Sequence, residues 1–172
     1  MKKTLLLCSL LILVTLPAYA DPIGLFSTGV ADDGSLLPAD TIDPHYRITK
    51  VVEGTGSVGQ PIPMPSSGSV LQEDIPAFVV FDVPYWVGKD LKSQWISPSA
   101  DTKGISFGLY TYQATFDLTG LDPASARIAG SWSADDPGWM LLNGQLVADL
   151  PFEWTFRQLY GGEGFSVPDQ DQ

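Results

Sequence analysis

The sequence predicts an all-β protein, an antiparallel β-sandwich behind a removable N-terminal leader. Three observations carry that prediction. Apolar side chains recur at every second position in several short segments of the C-terminal half, the period at which a strand turns one face to a core. Turn formers, 17 Gly and 14 Pro, fall between the apolar segments, as they do between strands. Nowhere after Ala20 does an apolar period of about 3.6 residues persist, which an amphipathic helix requires.

The leader is Met1–Ala20. Lys2 and Lys3 supply a positive start, Leu5 to Leu16 an apolar run broken only by Ser9 and Thr15, and Ala18-Tyr19-Ala20 the small residues that a signal peptidase reads. The run is shorter than the roughly 20 apolar residues of a membrane-spanning helix. Cys8 follows only three leucines, whereas a lipid-attachment cysteine would end the apolar run, so it reads as a small apolar residue of the leader. Cleavage after Ala20 leaves 152 residues of the 172, the size of one domain with a real core. The remaining chain has no cysteine, which excludes a disulfide scaffold and a cysteine zinc site. The formal charge of −11 becomes −13 once Lys2 and Lys3 are gone, with seven basic residues against 20 acidic. Such a surface repels nucleic acid and anionic lipid and tolerates cations. No second long apolar segment follows, so no membrane span is expected in the mature chain.

Residues 21–43 are turn-rich, with Asp32-Asp33-Gly34 and Pro38 as breakers. The sandwich domain is expected over 44–160. His45 to Val52 reads as its first strand, with Tyr46 and Ile48 on one face. Residues 53–69 hold four glycines and three prolines and read as a long surface loop. Ala77-Phe78-Val79-Val80-Phe81 is a continuous apolar run of buried-strand length. From Tyr110 to Leu118, Tyr110, Tyr112, Ala114, Phe116 and Leu118 alternate with polar residues, a strand with one wet face. Ala126, Ile128, Gly130 and Trp132 repeat the alternation. Trp139–Leu142 and Gln145–Val147 flank Asn143-Gly144, the preferred pair for a type I′ hairpin turn. Phe152, Trp154 and Phe156 alternate in a last strand, and residues 161–172 form a polar tail. Strands about ten residues apart with turns between them suggest a sandwich.

Catalytic signals are sparse. His45 is the single histidine, too few for a multi-histidine metal site, and its place after Pro44 at a strand start suggests a structural hydrogen bond. Gly104-Ile105-Ser106-Phe107-Gly108 fits the Gly-x-Ser-x-Gly pattern of a hydrolase elbow. The elbow needs a strand before it and a helix after it, and here a loop precedes and a strand follows. Glycoside hydrolysis needs two carboxyls held across a sugar bond, and nothing sets Asp135, Asp136 or Glu153 at such a separation. A glycoside hydrolase or esterase is therefore the weakest of the functional alternatives, and the chain is expected not to be an enzyme. Asp32-Asp33-Gly34 and Asp135-Asp136-Pro137-Gly138 are acidic turns of the chemistry that calcium takes, which makes Asp32, Asp33, Asp135 and Asp136 candidate calcium ligands. Acidic turns also arise simply because Asp bonds its own backbone there. Trp132, Trp154, Tyr110 and Tyr112 sit in phase with apolar neighbours and read as core. Tyr85, Trp86, Trp95 and Trp139 stand beside Pro, Gly or polar residues and are the candidate ligand platform, with Trp95 also a candidate core anchor.

Four segments together resemble one group of sequences. They are Asp43-Pro44-His45-Tyr46, then Ser93-Gln94-Trp95-Ile96-Ser97-Pro98, then Tyr110 through Asp122, then Ser131-Trp132-Ser133-Ala134-Asp135-Asp136 leading to Leu141-Leu142-Asn143-Gly144. In this order they look like the ectodomain of exported bacterial PEP-CTERM-type proteins. The last two also resemble the galactose-binding-like jelly-roll of sugar-binding domains, where a Phe-Asp-Leu-like strand end precedes a strand ending at Asn-Gly. The resemblance implies a jelly-roll fold, Sec export to the periplasm, exterior or surface of a Gram-negative cell, and a binding role. The expected function is a non-enzymatic module for carbohydrate or another extracellular polymer, with a structural, surface-interaction protein of the extracellular matrix as the alternative. The family's Pro-Glu-Pro motif, apolar helix and basic residues have no counterpart in Phe165–Gln172. A closing strand after Gly161-Gly162-Glu163-Gly164 is also expected to be incomplete, leaving a sheet edge open to self-association.

Overall fold

The computed structural model describes residues 24–53, 70–81, 86–87, 92–102, 108–122, 126–135, 137–150, 160–161 and 165–166. Among them every regular element is a strand, every pairing is antiparallel and there is no helix. No helix among the described residues is long and apolar enough to cross a membrane. The all-β expectation holds at that level.

The largest sheet is built around one strand, β1 (Ile42–Glu53). On one edge β1 pairs with β5 (Gly108–Gln113), from Arg47↔Gln113 to Glu53↔Gly108. On its other edge lie two short strands end to end, β2 (Val70–Gln72) against Val51–Val52 and β3 (Ile75–Val79) against Ile42–Ile48. The break between them falls at Glu73-Asp74, where Asp74 has φ 56°. Arg47 closes over the break, donating from Nε to the Asp74 carboxylate at 2.6 Å and from a terminal nitrogen to the Asp74 carbonyl at 3.2 Å. A two-residue strand, β4 (Ile96–Ser97), extends the sheet beyond β3 through Phe78↔Ser97 and Val79↔Ile96.

β1 departs from the simple alternation in two places. It begins at Ile42, three residues before the expected start, so it contains Pro44. Proline has no N–H for a ladder, and the β1–β3 register is irregular between Ile42 and Arg47. The Asp43 carboxylate takes over there, accepting from the backbone N–H of His45 at 2.8 Å and of Tyr46 at 3.1 Å. Further along, Ile48 pairs with Tyr112 but Lys50 pairs with Thr111, which leaves Thr49 as a bulge. A bulge inserts one residue and reverses which parity faces inward. Tyr46 and Ile48 therefore face the core before it and Val51 after it. The cluster consists of Ile48, Val51 and Ala77, all fully buried, with Tyr46, Ile75, Ile96, Tyr110 and Tyr112 packed against it. Tyr110 and Tyr112 take the core positions expected of them.

The apolar run at 77–81 is only partly interior. Ala77, Val79 and Val80 are buried, but Phe81 is 66 % exposed. The ladder ends at Val79, and Val80 turns to donate its N–H to the Trp95 carbonyl at 3.0 Å, leaving Phe81 beyond the last partner. The alternation from Tyr110 to Leu118 appears in the burial throughout, although the ladder with β1 stops at Gln113. The segment expected as one strand at 126–132 is two, β6 (Arg127–Ile128) and β7 (Ser131–Trp132), separated by exposed Ala129 and Gly130. They split because they serve different partners: Ser131 and Trp132 pair with Tyr160 and Gly161, and Arg127 and Ile128 with Phe165 and Ser166. Strand pairing thus continues past residue 160, into the segment expected to be a polar tail.

The hairpin is as expected. β8 (Gly138–Leu142) and β9 (Gln145–Leu150) meet at Leu142↔Gln145, and Asn143 and Gly144 have φ of 51° and 82°, the two positive values of a type I′ turn. The expected strand at Phe152, Trp154 and Phe156 lies outside the described residues, as do residues 54–69 of the expected loop; Glu53 closes β1.

The turn-rich N-terminal segment is fastened to this sheet by two buried polar side chains. Asp43 Oδ2 accepts from the Gly29 N–H at 2.7 Å. Gln94 Nε2 donates to the Gly29 carbonyl at 2.7 Å and the Leu37 carbonyl at 2.8 Å. The Gln94 backbone is held in turn, its N–H to the Thr28 carbonyl at 2.9 Å and its carbonyl to the Thr28 hydroxyl at 2.6 Å. Gly29 has φ 72°, and a Cβ there would lie 2.6 Å from Gln94 Cβ. Replacing Gln94 with Ala strands the Leu37 carbonyl, while the Gly29 carbonyl keeps the Leu37 N–H as donor, and equilibrium denaturation should register a loss of about 2 kcal/mol. Asp43→Ala should cost at least as much, since three N–H groups lose their acceptor. Arg47→Ala, which removes an exposed ion pair, should cost under about 1 kcal/mol. Gly144→Ala meets no atom within 4 Å and should cost only the left-handed backbone penalty of about 1–2 kcal/mol. Gly29→Ala adds a clash to that penalty and should be clearly worse; equal losses at the two glycines would refute the tight approach.

Candidate binding site

Gln94, pinned as described, sets the position of Trp95, and Ile96–Ser97 then enters the sheet beside β3. Trp95 is thereby held at the rim of the large sheet. Its indole N–H donates to the Val87 carbonyl at 2.9 Å, which draws the Trp86-Val87 segment over it. The Trp86 and Trp95 rings meet with centroids 4.5 Å apart and planes tilted by 45°, within the range of favourable aromatic pairs. Both residues are half-buried, so each keeps part of its surface exposed. Phe81, exposed, follows Val80, whose N–H bonds the Trp95 carbonyl.

Of the other platform candidates, Trp139 stands in β8, opposite Asp149 in the separate hairpin, and is half-buried. Tyr85 lies outside the described residues. Trp132, expected in the core, is half-buried, and its ring lies 3.1 Å from where a Cβ on Gly138 would stand.

The first acidic turn makes a local backbone bond. Asp33 Oδ1 accepts from the Ser35 N–H at 2.9 Å. The Ser35 hydroxyl and then its N–H hold the Asp33 carboxyl below its ordinary range, and Thr119 does the same for Asp117. Asp32 is exposed, with its carboxylate 3.5 Å from His45 Nε2. Asp135 is exposed and Asp136 lies outside the described residues. Among the described residues no three His, Cys, Asp or Glu side chains gather at one point.

At His45 the backbone N–H bonds Asp43, a bond that does not depend on the imidazole. Its ring stacks flat on Phe26, with centroids 3.7 Å apart and planes 10° apart, while the Tyr46 hydroxyl donates to the Phe26 carbonyl at 2.9 Å. The imidazole Nε2 is buried and has no hydrogen-bond partner among the described residues. Of the elbow-like segment, residues 104–107 lie outside the described residues and Gly108 opens β5. Phe26 had no signal in the sequence pattern, and nothing in period or spacing marked the buried roles of Asp43 and Gln94.

No family model, no curated protein and no solved structure matches the chain.

Burial raises the Tyr112 phenol well above its ordinary value, with Tyr110 adding to the effect. Burial and then the Asp43 charge raise Tyr46 in the same direction. A phenol raised in the folded state favours folding fully below its unfolded value of about 10, and that contribution is lost as pH rises through the folded value. Denaturation midpoints should therefore fall above about pH 10, and tyrosinate absorbance should show Tyr46 and Tyr112 ionising only with unfolding. Ionisation of every tyrosine near pH 10 with the fold intact would contradict the burial.

Proposed function

We propose that this chain is a non-enzymatic binding module, the ectodomain of an exported PEP-CTERM-type protein, which takes carbohydrate or another extracellular polymer on the rim formed by Trp86 and Trp95. The observation that carries the reading is the meeting of these two half-open indoles. A pyranose presents a C–H face to such a surface, and the apolar contact is directional because the rings are rigid. A jelly-roll, galactose-binding-like sandwich suits the antiparallel large sheet, apolar on one side, and the further strand pairs between residues 127 and 166. Carboxylates on a strongly acidic surface supply acceptors for sugar hydroxyls.

A glycan array tests it. Trp86→Ala should weaken binding about tenfold, the worth of one aromatic contact, while Trp139→Ala on the separate hairpin should leave it unchanged. Absence of binding to every glycan, with and without calcium, would remove the carbohydrate reading. Turnover of a glycoside or ester would remove the non-enzymatic one.

A surface-interaction role is the second reading. It is favoured by β2, whose Val70 and Leu71 are exposed and which pairs only with β1 among the described residues. An exposed apolar edge of this kind invites a strand from another chain. On this reading the chain associates with rising concentration, and Leu71→Lys abolishes the association.

A further inference from the structure

We propose that Asn143 is a site of self-modification: the backbone nitrogen of Gly144 attacks its carboxamide, and the hairpin tip is converted to aspartate and isoaspartate. Asn143 and Gly144 are both exposed at the turn between β8 and β9. Among the described residues no side-chain hydrogen bond, ion pair or ring contact holds the Asn143 carboxamide. Nothing lies within 4 Å of where a Cβ on Gly144 would stand, so the flank of the attacking nitrogen is open. The tip is also lightly tied. Met140 pairs with Ala148 but Leu141 with Leu146, which leaves Val147 as a bulge. Beyond it only Leu141↔Leu146 and Leu142↔Gln145 close the hairpin, and of these four residues only Leu142 is buried. Such an end opens locally without unfolding the rest. Ring closure needs Asn143 to leave its left-handed conformation, φ 51°, so the frayed tip is the reactive form.

Water is the only co-reactant. The Gly144 nitrogen bonds to Asn143 Cγ, the Cγ–Nδ2 bond breaks, and ammonia leaves with the proton that the Gly144 nitrogen gives up. Water then opens the cyclic imide at either carbonyl. Attack at Cγ returns the backbone to its first path and leaves an aspartate. Attack at the main-chain carbonyl leaves Gly144 bonded to Cγ, which is isoaspartate. The two products differ in what they do to the turn. Asp-Gly suits a type I′ turn as Asn-Gly does, so aspartate adds a negative charge and keeps the hairpin. Isoaspartate runs the chain through the old side chain and lengthens the backbone by one atom. A two-residue turn cannot absorb that atom, so the Leu142↔Gln145 pair is lost.

Asn143 is the single asparagine of the chain, so no other asparagine confuses the readout. The purified protein is held for several weeks in mildly alkaline buffer at body temperature, then digested and analysed by chromatography with mass spectrometry. The peptide carrying Asn143 should gain the mass of an amide-to-acid conversion and divide into two isomeric species. Gly144→Ala should slow the gain about tenfold, because only glycine leaves the nitrogen unshielded. It should do so even though it strains the left-handed turn and so favours opening. By amide exchange, Asn143→Asp should protect Gln145 as the fresh protein does, and the isoaspartate form should lose that protection. No acid at Asn143, or an unslowed gain in Gly144→Ala, would overturn the site. Full protection of Gln145 in the isoaspartate form would overturn its effect on the hairpin.

Discussion

Two buried polar side chains, Asp43 and Gln94, converge on one glycine, and the arrangement of the large sheet depends on them. Gly29 gives its N–H to the first and its carbonyl to the second. A non-repetitive segment is thus kept on a sheet by side chains that satisfy its backbone groups, beside backbone bonds such as Gln94 to Thr28 and Asp40 to Val79. The cost of desolvating a carboxylate is met by three N–H donors on Asp43. Remove either residue and the segment carrying Phe26, the lid on His45, loses its anchor. The same Gln94 fixes Trp95, so the fastening and the candidate binding rim share one origin.

The core follows from a second constraint, the bulge at Thr49. Without it, strict alternation would continue from Tyr46 and Ile48 to Lys50 and Val52. A charged side chain would then be driven into the space that Val51 occupies. One inserted residue keeps Lys50 exposed and lets Val51 meet Ala77 and Tyr110.

These two devices explain what the sequence revealed and what it concealed. The hairpin at Asn143-Gly144 was legible because its chemistry is local: two adjacent residues accept positive φ and the flanks alternate. Tyr110 and Tyr112 were legible because alternation is a direct image of a pleated strand. The bulge was not, since nothing in Ile48-Thr49-Lys50 marks an unpaired residue. Nor was the end of β3, where Phe81 continues an apolar run that the ladder has already left. The role of Asp43 and Gln94 depends on contacts with Gly29 at sequence distances of 14 and 65. The Trp86–Trp95 meeting was half visible: both were picked as platform residues, but their contact depends on the fold.

The placement of β1 at the middle of its sheet has a consequence for synthesis. Arg47 waits for Gln113, 66 positions later, before that edge of the strand is closed. At about 5–20 residues per second, the ribosome needs on the order of several seconds to deliver it. Through that interval a twelve-residue strand presents open backbone groups to whatever it meets. Contacts of such long range also make collapse slow, because loop closure precedes any reward. A nascent chain of this kind stays pliable for longer than a helical one of equal length, and it needs shielding from its own copies until the later strands arrive.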